Sequence, residues 1–112
     1  MYDITTGAVE YALRGLAIRS DVRANNVANV NTPNFRGQRV EFEGQLRTAL
    51  EQGGGLAAPA IRADMSLPNA AGTTVSLETE MVGMLEDNLL RESMIAAFNH
   101  KANVMRSAIA GR

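Results

Sequence analysis

The sequence predicts a mostly α protein in which two long terminal helices pair as an antiparallel coiled coil. Apolar residues recur at helical spacing over about residues 7–30 and again over about 77–109. The chain has no Trp, two Tyr and three Phe, and much of its apolar content is Ala, Val, Leu and Met, which suits helix packing better than a sheet core. At 112 residues it forms one domain at most, and two such helices predict an elongated molecule.

The first predicted helix carries an apolar stripe with an interruption in its middle. The stripe consists of Val9, Leu13, Leu16, Val27 and Val30. Ser20 and Arg23 interrupt it, while Ile18 and Val22 lie on another face. The helix therefore has a second apolar surface, which predicts a second packing partner.

Asparagines concentrate at the end of this helix. Asn25, Asn26, Asn29 and Asn31 fall within seven positions. Asparagine is unfavourable inside helices because its short amide competes with the backbone for hydrogen bonds. We therefore expect the amides of Asn25, Asn26 and Asn29 to bond to another helix or another subunit.

A turn follows the asparagines. Pro33 lacks an N–H and disfavours helix at the preceding residue, so it is expected to end the helix. Asn31 suits the left-handed conformation after a last helical turn, and Pro33-Asn34 is typical of the centre of a turn. We expect Phe35 to hold this turn in an apolar pocket. A helix cap and turn explain Asn31 to Asn34, but not the earlier asparagines.

The middle of the chain has a weaker pattern. Alternating apolar and charged residues from Gln38 to Phe42 indicate a short extended segment, and a helix of about two turns follows and ends at Gly53. Residues 53–73 are rich in Gly, Ala and Pro, so a flexible loop is expected there. The chain thus divides into an N-terminal helix with its corner, an irregular middle and a C-terminal helix, over residues 1–36, 37–74 and 75–112.

The second long helix has clear end signals. Ser76 is a favourable N-cap and Gly111 lies just past the end of the helix. Between these signals, about residues 77–109 at the α-helical rise per residue give a length of about 50 Å. Leu85, Leu89, Leu90 and Met94 lie on other faces than its main stripe, so one neighbouring helix cannot cover its apolar surface. Its carboxylates are interpreted as a solvated face. They are Glu78, Glu80, Glu86, Asp87 and Glu92. The main stripe consists of Met81, Met84, Ile95, Phe98, Ala102, Met105 and Ile109.

Composition excludes several function classes. A formal net charge of −1 argues against nucleic-acid binding, and no apolar run reaches membrane-spanning length, so no direct membrane insertion is expected. The chain has no Cys and a single His, His100, which is interpreted as a packing or surface residue. With no paired ligands, nucleophile motif or phosphate loop, we expect no enzyme activity, no cofactor and no metal.

The asparagine segment also carries a family resemblance. Residues 25–37, NNVANVNTPNFRG, resemble the signature of bacterial flagellar axial proteins, which form the rod and hook. Near the other end, residues 75–82, 88–91 and 108–112 are similar to the C-terminal helix of a small proximal rod protein. The resemblance covers about two thirds of the chain. It implies a subunit that self-assembles in the rod of the basal body, joins the export gate and adapter to the rest of the rod, and transmits torque.

The resemblance also implies partners and a location. The partners are copies of the chain itself, other rod proteins, and the adapter and export-gate proteins at the rod base. The location is the rod in the periplasmic space. Residues 1–7 lack the pattern of a secretory signal peptide, and the family is exported through the flagellar type III apparatus, so export without a cleaved signal is expected.

The expected assembly interface combines the asparagine corner with the apolar stripes. It consists of Leu13, Leu16, Asn25, Asn26, Val27, Asn29, Asn31, Pro33, Phe35, Met81, Met84, Ile95, Phe98 and Met105. Two alternatives remain open. One is the other small protein of the proximal rod, and the second, outside the family, is a small helical adaptor or regulator that folds alone.

Overall fold

A computed structural model of the chain describes residues 4–53, 55–70 and 72–111. It confirms a mostly α protein with two long terminal helices. The molecule measures 63 × 27 × 15 Å along its principal axes, which is the elongated shape predicted from the helix lengths. In chain order the elements are α1 (Ile4–Ala28), β1 (Gln38–Glu41), α2 (Glu43–Gln52), β2 (Ala60–Ala63) and α3 (Leu77–Ile109).

Helices α1 and α3 pack antiparallel, as predicted. The end of α1 lies beside the start of α3, because the Asn26 amide bonds to Glu80, while Arg19, further back in α1, reaches Asp87. Both end signals of α3 are confirmed. The Ser76 hydroxyl accepts a hydrogen bond from the Thr79 N–H at 3.4 Å, and the helix stops before Gly111, whose φ is +76°.

The predicted extended segment is strand β1, and it pairs with a strand that the sequence did not predict. Strands β1 and β2 are antiparallel, with a register that runs from Gln38↔Ala63 to Glu41↔Ala60. Strand β2 lies within residues 53–73, where only a loop was expected. Its four residues contain one large apolar side chain, Ile61, so side-chain alternation could not indicate a strand; backbone pairing with β1 defines it.

The core is small and centred on α1. Its fully enclosed members include Leu16 at 0 % exposure and Phe42 at 1 %. The rings of Tyr11 and Phe42 meet edge to face with centroids 6.2 Å apart. Phe42 also lies against Gly15, where a Cβ would stand 2.5 Å from the ring. The buried cluster consists of Tyr11, Ala12, Leu16, Val22, Val40 and Phe42. Such a core supports only modest stability.

The corner after α1 differs in detail from the prediction. Helix α1 ends at Ala28, several residues before Pro33. The predicted turn is present, since the Phe35 N–H bonds to the Thr32 carbonyl at 3.2 Å. The left-handed residue is Asn34, with φ +64°, so the expectation for Asn31 was wrong. Positive φ at the third position is typical of a type II turn, which also accepts Pro at its second position, and Asn tolerates this conformation.

Candidate assembly interface

A layer of charged side chains joins α1 to α3. The Arg23 guanidinium donates from Nε to Asp87 Oδ2 at 2.9 Å and from Nη1 to Glu80 Oε2 at 3.2 Å. Arg19 donates from Nη1 to Asp87 Oδ1 at 3.3 Å. Asp87 is only 8 % exposed. The interpretation of the α3 carboxylates as a solvated face was therefore wrong for Glu80 and Asp87, because two arginines on α1 pair with them.

Arg19 extends this layer to the rest of the fold. Its Nη2 donates to the Val40 carbonyl at 2.9 Å and to Glu43 Oε1 at 2.6 Å, and its guanidinium lies 4.6 Å from the centroid of the Phe42 ring. Burial lowers the pKa of Arg19, but the hydrogen bond and charge of Glu43, with help from Asp87, outweigh it and raise the pKa. Burial raises the pKa of Glu43, but the Arg19 hydrogen bond and charge, with backbone hydrogen bonds, lower it below its ordinary value.

Gly83 makes room for these charges. It is one of the two buried residues recorded on α3, and a Cβ at this position would overlap the Arg23 guanidinium. The absence of a side chain at Gly83 lets Arg23 cross the face of α3 to reach Asp87. The helix pair therefore depends on a glycine in a helix interior, where glycine otherwise costs about 1 kcal/mol.

The asparagines of the signature have different contacts. Asn26 is 2 % exposed, and its Nδ2 donates to the Gln38 carbonyl at 2.9 Å and to Glu80 Oε1 at 3.1 Å, while its Oδ1 accepts from the Gln38 N–H at 3.0 Å. The prediction that these amides reach another helix is confirmed for Asn26. Asn29 instead donates back to the Asn25 carbonyl at 2.9 Å. For Asn25 and Asn29, contact with another subunit stays a prediction.

The residues expected at the interface fall into three groups. Leu16 and Asn26 lie inside the chain, so they act through its fold unless the chain rearranges. The partly exposed group consists of Leu13, Val27, Asn29, Phe35, Met84 and Met105. The exposed group consists of Asn25, Asn31, Pro33, Met81, Ile95 and Phe98. Members of the second and third groups are available to a neighbouring molecule.

The face that α3 turns toward α1 is not the predicted apolar stripe. Met81, Ile95 and Phe98 of that stripe are 55 %, 44 % and 40 % exposed. The face toward α1 is rotated by about 70° from the predicted one, at about 100° per residue. It turns inward because its carboxylates pair with the α1 arginines. This face consists of Glu80, Gly83, Asp87, Leu90 and Met94.

A second apolar surface of α3, the outer strip, faces away from α1. Leu85 and Leu89 are each 65 % exposed, and by helical periodicity the strip lies about 180° from the face that packs on α1. The sequence placed Leu85 and Leu89 off the main stripe without assigning them to the interface. The outer strip consists of Leu77, Met81, Val82, Leu85 and Leu89.

The described residues offer little support for other kinds of site. Among them, no group of three or more His, Asp or Glu is placed to hold a metal ion, and no helix is long and apolar enough to cross a membrane. A groove of about 670 Å³ between α1, β1 and α3 is lined by the charged layer itself. His100 lies on the surface of α3.

Comparisons with known proteins find similarity both in the asparagine segment and over nearly the whole chain. The family model for the flagella basal body rod protein matches residues 10–36, which include the asparagine segment. A flagellar basal body rod protein FlgB from Aeromonas hydrophila is 27 % identical over 126 aligned residues, which cover 98 % of this chain and 96 % of that protein.

Two further relatives bear the same name. FlgB from Cereibacter sphaeroides is 26 % identical over 107 residues, which cover 83 % of this chain and 84 % of that protein. FlgB from Yersinia enterocolitica is 36 % identical over 56 residues, covering 47 % and 41 %. The predicted resemblance to the rod proteins is thus confirmed: this chain, with its paired terminal helices, is similar to the flagellar basal body rod proteins FlgB, which form a structural and not an enzymatic family.

Proposed function

We propose that this chain is a subunit of the proximal rod, where copies of it assemble into a helical axial structure. In this role it joins the export gate and adapter at the rod base to the other rod proteins and transmits torque through them. It reaches the periplasmic space through the flagellar export route without cleavage of a signal peptide. The support is the match of residues 10–36 to the rod-protein family model, together with a FlgB relative that aligns over 98 % of the chain.

The observation that carries the proposal is the outer strip. Five large apolar side chains on one side of α3 are 43 % to 65 % exposed, and none of the described helices and strands covers them. A contiguous exposed apolar surface marks an interaction site in a soluble protein. A small helical adaptor that folds alone would instead bury such a strip within its own fold.

The small size of the core also supports an assembling subunit. The residues that the structure describes include only eight buried apolar side chains, six of which form one cluster on α1 or against it. Contacts between subunits then contribute a large share of the total stability, and folding becomes coupled to assembly. That coupling suits a protein that passes through an export channel and folds at its destination.

The test uses cells in which the native gene is replaced by variants. The double variant Leu85→Ser with Leu89→Ser is expected to abolish swimming and to be absent from purified basal bodies, because two apolar contacts become polar. Leu50→Ser is the control, since Leu50 is 49 % exposed on α2, away from the strip, and it should swim normally. Normal swimming of the double variant, with the protein present in basal bodies, would contradict the proposal.

A further inference from the structure

The outer strip has an acidic rim. Glu78, Glu86 and Glu92 are all exposed. By helical periodicity Glu86 lies along one side of the strip, and Glu78 and Glu92 lie at its two ends. Arg91 is the single basic residue of residues 77–92, and it is partly buried and bonded to Asn88 at 2.8 Å. The surface that must be covered in an assembly is therefore apolar at its centre and negative at its edges. Its occupant should be apolar and positive.

That chemistry occurs on the same chain in the sheet lobe, defined as residues 36–41 and 60–67. Arg39 and Arg62 are direct cross-strand partners, and their side chains are 64 % and 63 % exposed. Both guanidiniums share one carboxylate, Glu41, at 3.8 Å and 3.5 Å. Like charges placed opposite each other destabilise an antiparallel pair. One carboxylate between two arginines leaves positive charge available to a partner.

Exposed apolar side chains lie on the same lobe. Met65 and Leu67 are 81 % and 92 % exposed, among the highest values for large apolar residues of the described chain. Arg36 holds this segment by donating from Nη1 to the carbonyls of Asp64, at 2.5 Å, and Ser66, at 3.1 Å. Three arginines against the carboxylates of Glu41 and Asp64 give the lobe a formal charge of +1.

We infer that the outer strip of one copy docks on the sheet lobe of the next copy. This inference rests on the proposed function and names the two surfaces that meet. Two outer strips placed face to face would bring their glutamate rims together, and such like-charge contact is unfavourable. A contact between two different surfaces of the same chain is heterologous, and repeated without closure it generates an open helical filament.

The test exploits the absence of cysteine from the chain. Two differently tagged versions, one with Leu85→Cys and the other with Met65→Cys, are expressed together in cells that lack the native gene. After mild oxidation of assembled basal bodies, a disulfide-linked pair containing one copy of each tagged version is expected. Neither version expressed alone should form a linked dimer, because each surface then faces a surface without cysteine.

Charge reversal supplies the second part of the test. Glu86→Arg with Glu92→Arg in the Leu85→Cys version should lower the yield of the mixed disulfide several-fold. Arg39→Glu with Arg62→Glu in the Met65→Cys version should restore it, because the two rims then attract each other again. Circular dichroism of each purified variant checks that its helices are retained.

Three results would overturn the inference. A linked dimer of the Leu85→Cys version alone would show that two strips meet each other. A mixed disulfide that the second charge reversal does not restore would show that these charges do not face each other. Absence of any disulfide, combined with loss of swimming in the Leu85→Ser and Leu89→Ser variant, would assign the strip to a different rod protein and leave the proposed function intact.

Discussion

Helices α1 and α3 are both long and rich in apolar residues, yet they use them differently. Helix α1 packs against α3, β1 and α2, and buries Tyr11 and Leu16 almost completely. Helix α3 is 33 residues long and packs chiefly against α1, and the residues it buries are Gly83 and Asp87. One helix therefore organises the chain internally, while the other carries its apolar side chains on the outside. Apolar content does not reveal which role a helix has.

The largest expected effect is the difference in stability loss between a Leu→Ala substitution on α1 and one on α3. Leu16→Ala on α1 should lower the free energy of unfolding by about 4 kcal/mol, because it leaves a cavity in the small buried cluster. Leu89→Ala on α3 should change it by less than about 0.5 kcal/mol, since Leu89 is 65 % exposed. Urea unfolding followed by circular dichroism, at a concentration where the chain is helical, measures both. Equal losses would refute the division of roles.

The next effect concerns the charged layer between the helices. Asp87→Ala should cost about 3 kcal/mol of unfolding free energy, because Arg19 and Arg23 would lose a shared carboxylate in a mostly buried position. Glu86→Ala, at the exposed neighbouring position, is the control and should cost less than about 0.5 kcal/mol. If the two variants unfold alike, the charges do not couple α1 to α3 in solution.

A smaller effect is expected at the asparagine corner. Asn26→Ala should cost about 2 kcal/mol, because the Gln38 N–H and carbonyl would lose their partner in a buried position. Asn29→Ala removes a hydrogen bond within the exposed helix end and introduces a better helix former, so its effect should be close to zero. The same urea titration compares them. A larger loss at Asn29 would reverse the assignment of Asn26 as the structural residue.

The smallest expected effect is a pH dependence that comes from Glu43. The folded state lowers the pKa of Glu43 below its ordinary value of 4.5, so its contribution to stability is complete above that value and is lost as the pH falls through the lower, folded-state pKa. Thermal unfolding followed from pH 6 down to about pH 3 should show a falling midpoint. The fall should be smaller in Glu43→Gln, and an unchanged profile in that variant would exclude Glu43 as a source.

The end signals of the helices could be predicted from the sequence because they are local. Ser76 and Gly111 place both ends of α3 correctly, and Gly53, with φ +74°, ends α2. Strand β1 was also visible in its alternation. These features depend on the chemistry of a few neighbouring residues, and the relevant side chains stand next to each other in the chain.

The orientation of α3 could not be predicted by counting apolar residues, because charged pairs set it. Glu80, Asp87, Met94 and Lys101 recur at intervals of seven, and none of the four is exposed. That spacing matches the separation of Arg19 and Asn26 on α1. This shared spacing is the feature of the sequence that indicates which face of α3 packs on α1. A search for opposite charges at matching heptad positions would have found it, whereas a scale of hydrophobicity assigns these residues to the surface.

The side chain of Asn26 also has a consequence for the small sheet. An amide presents one N–H donor and one C=O acceptor in nearly the geometry of a peptide group, and Asn26 uses both on the backbone of Gln38 as a third strand would. On the same edge of β1, Arg19 occupies the Val40 carbonyl. Helix α1 thus occupies these backbone groups of the edge with side chains, which disfavours pairing of β1 with a strand of another molecule.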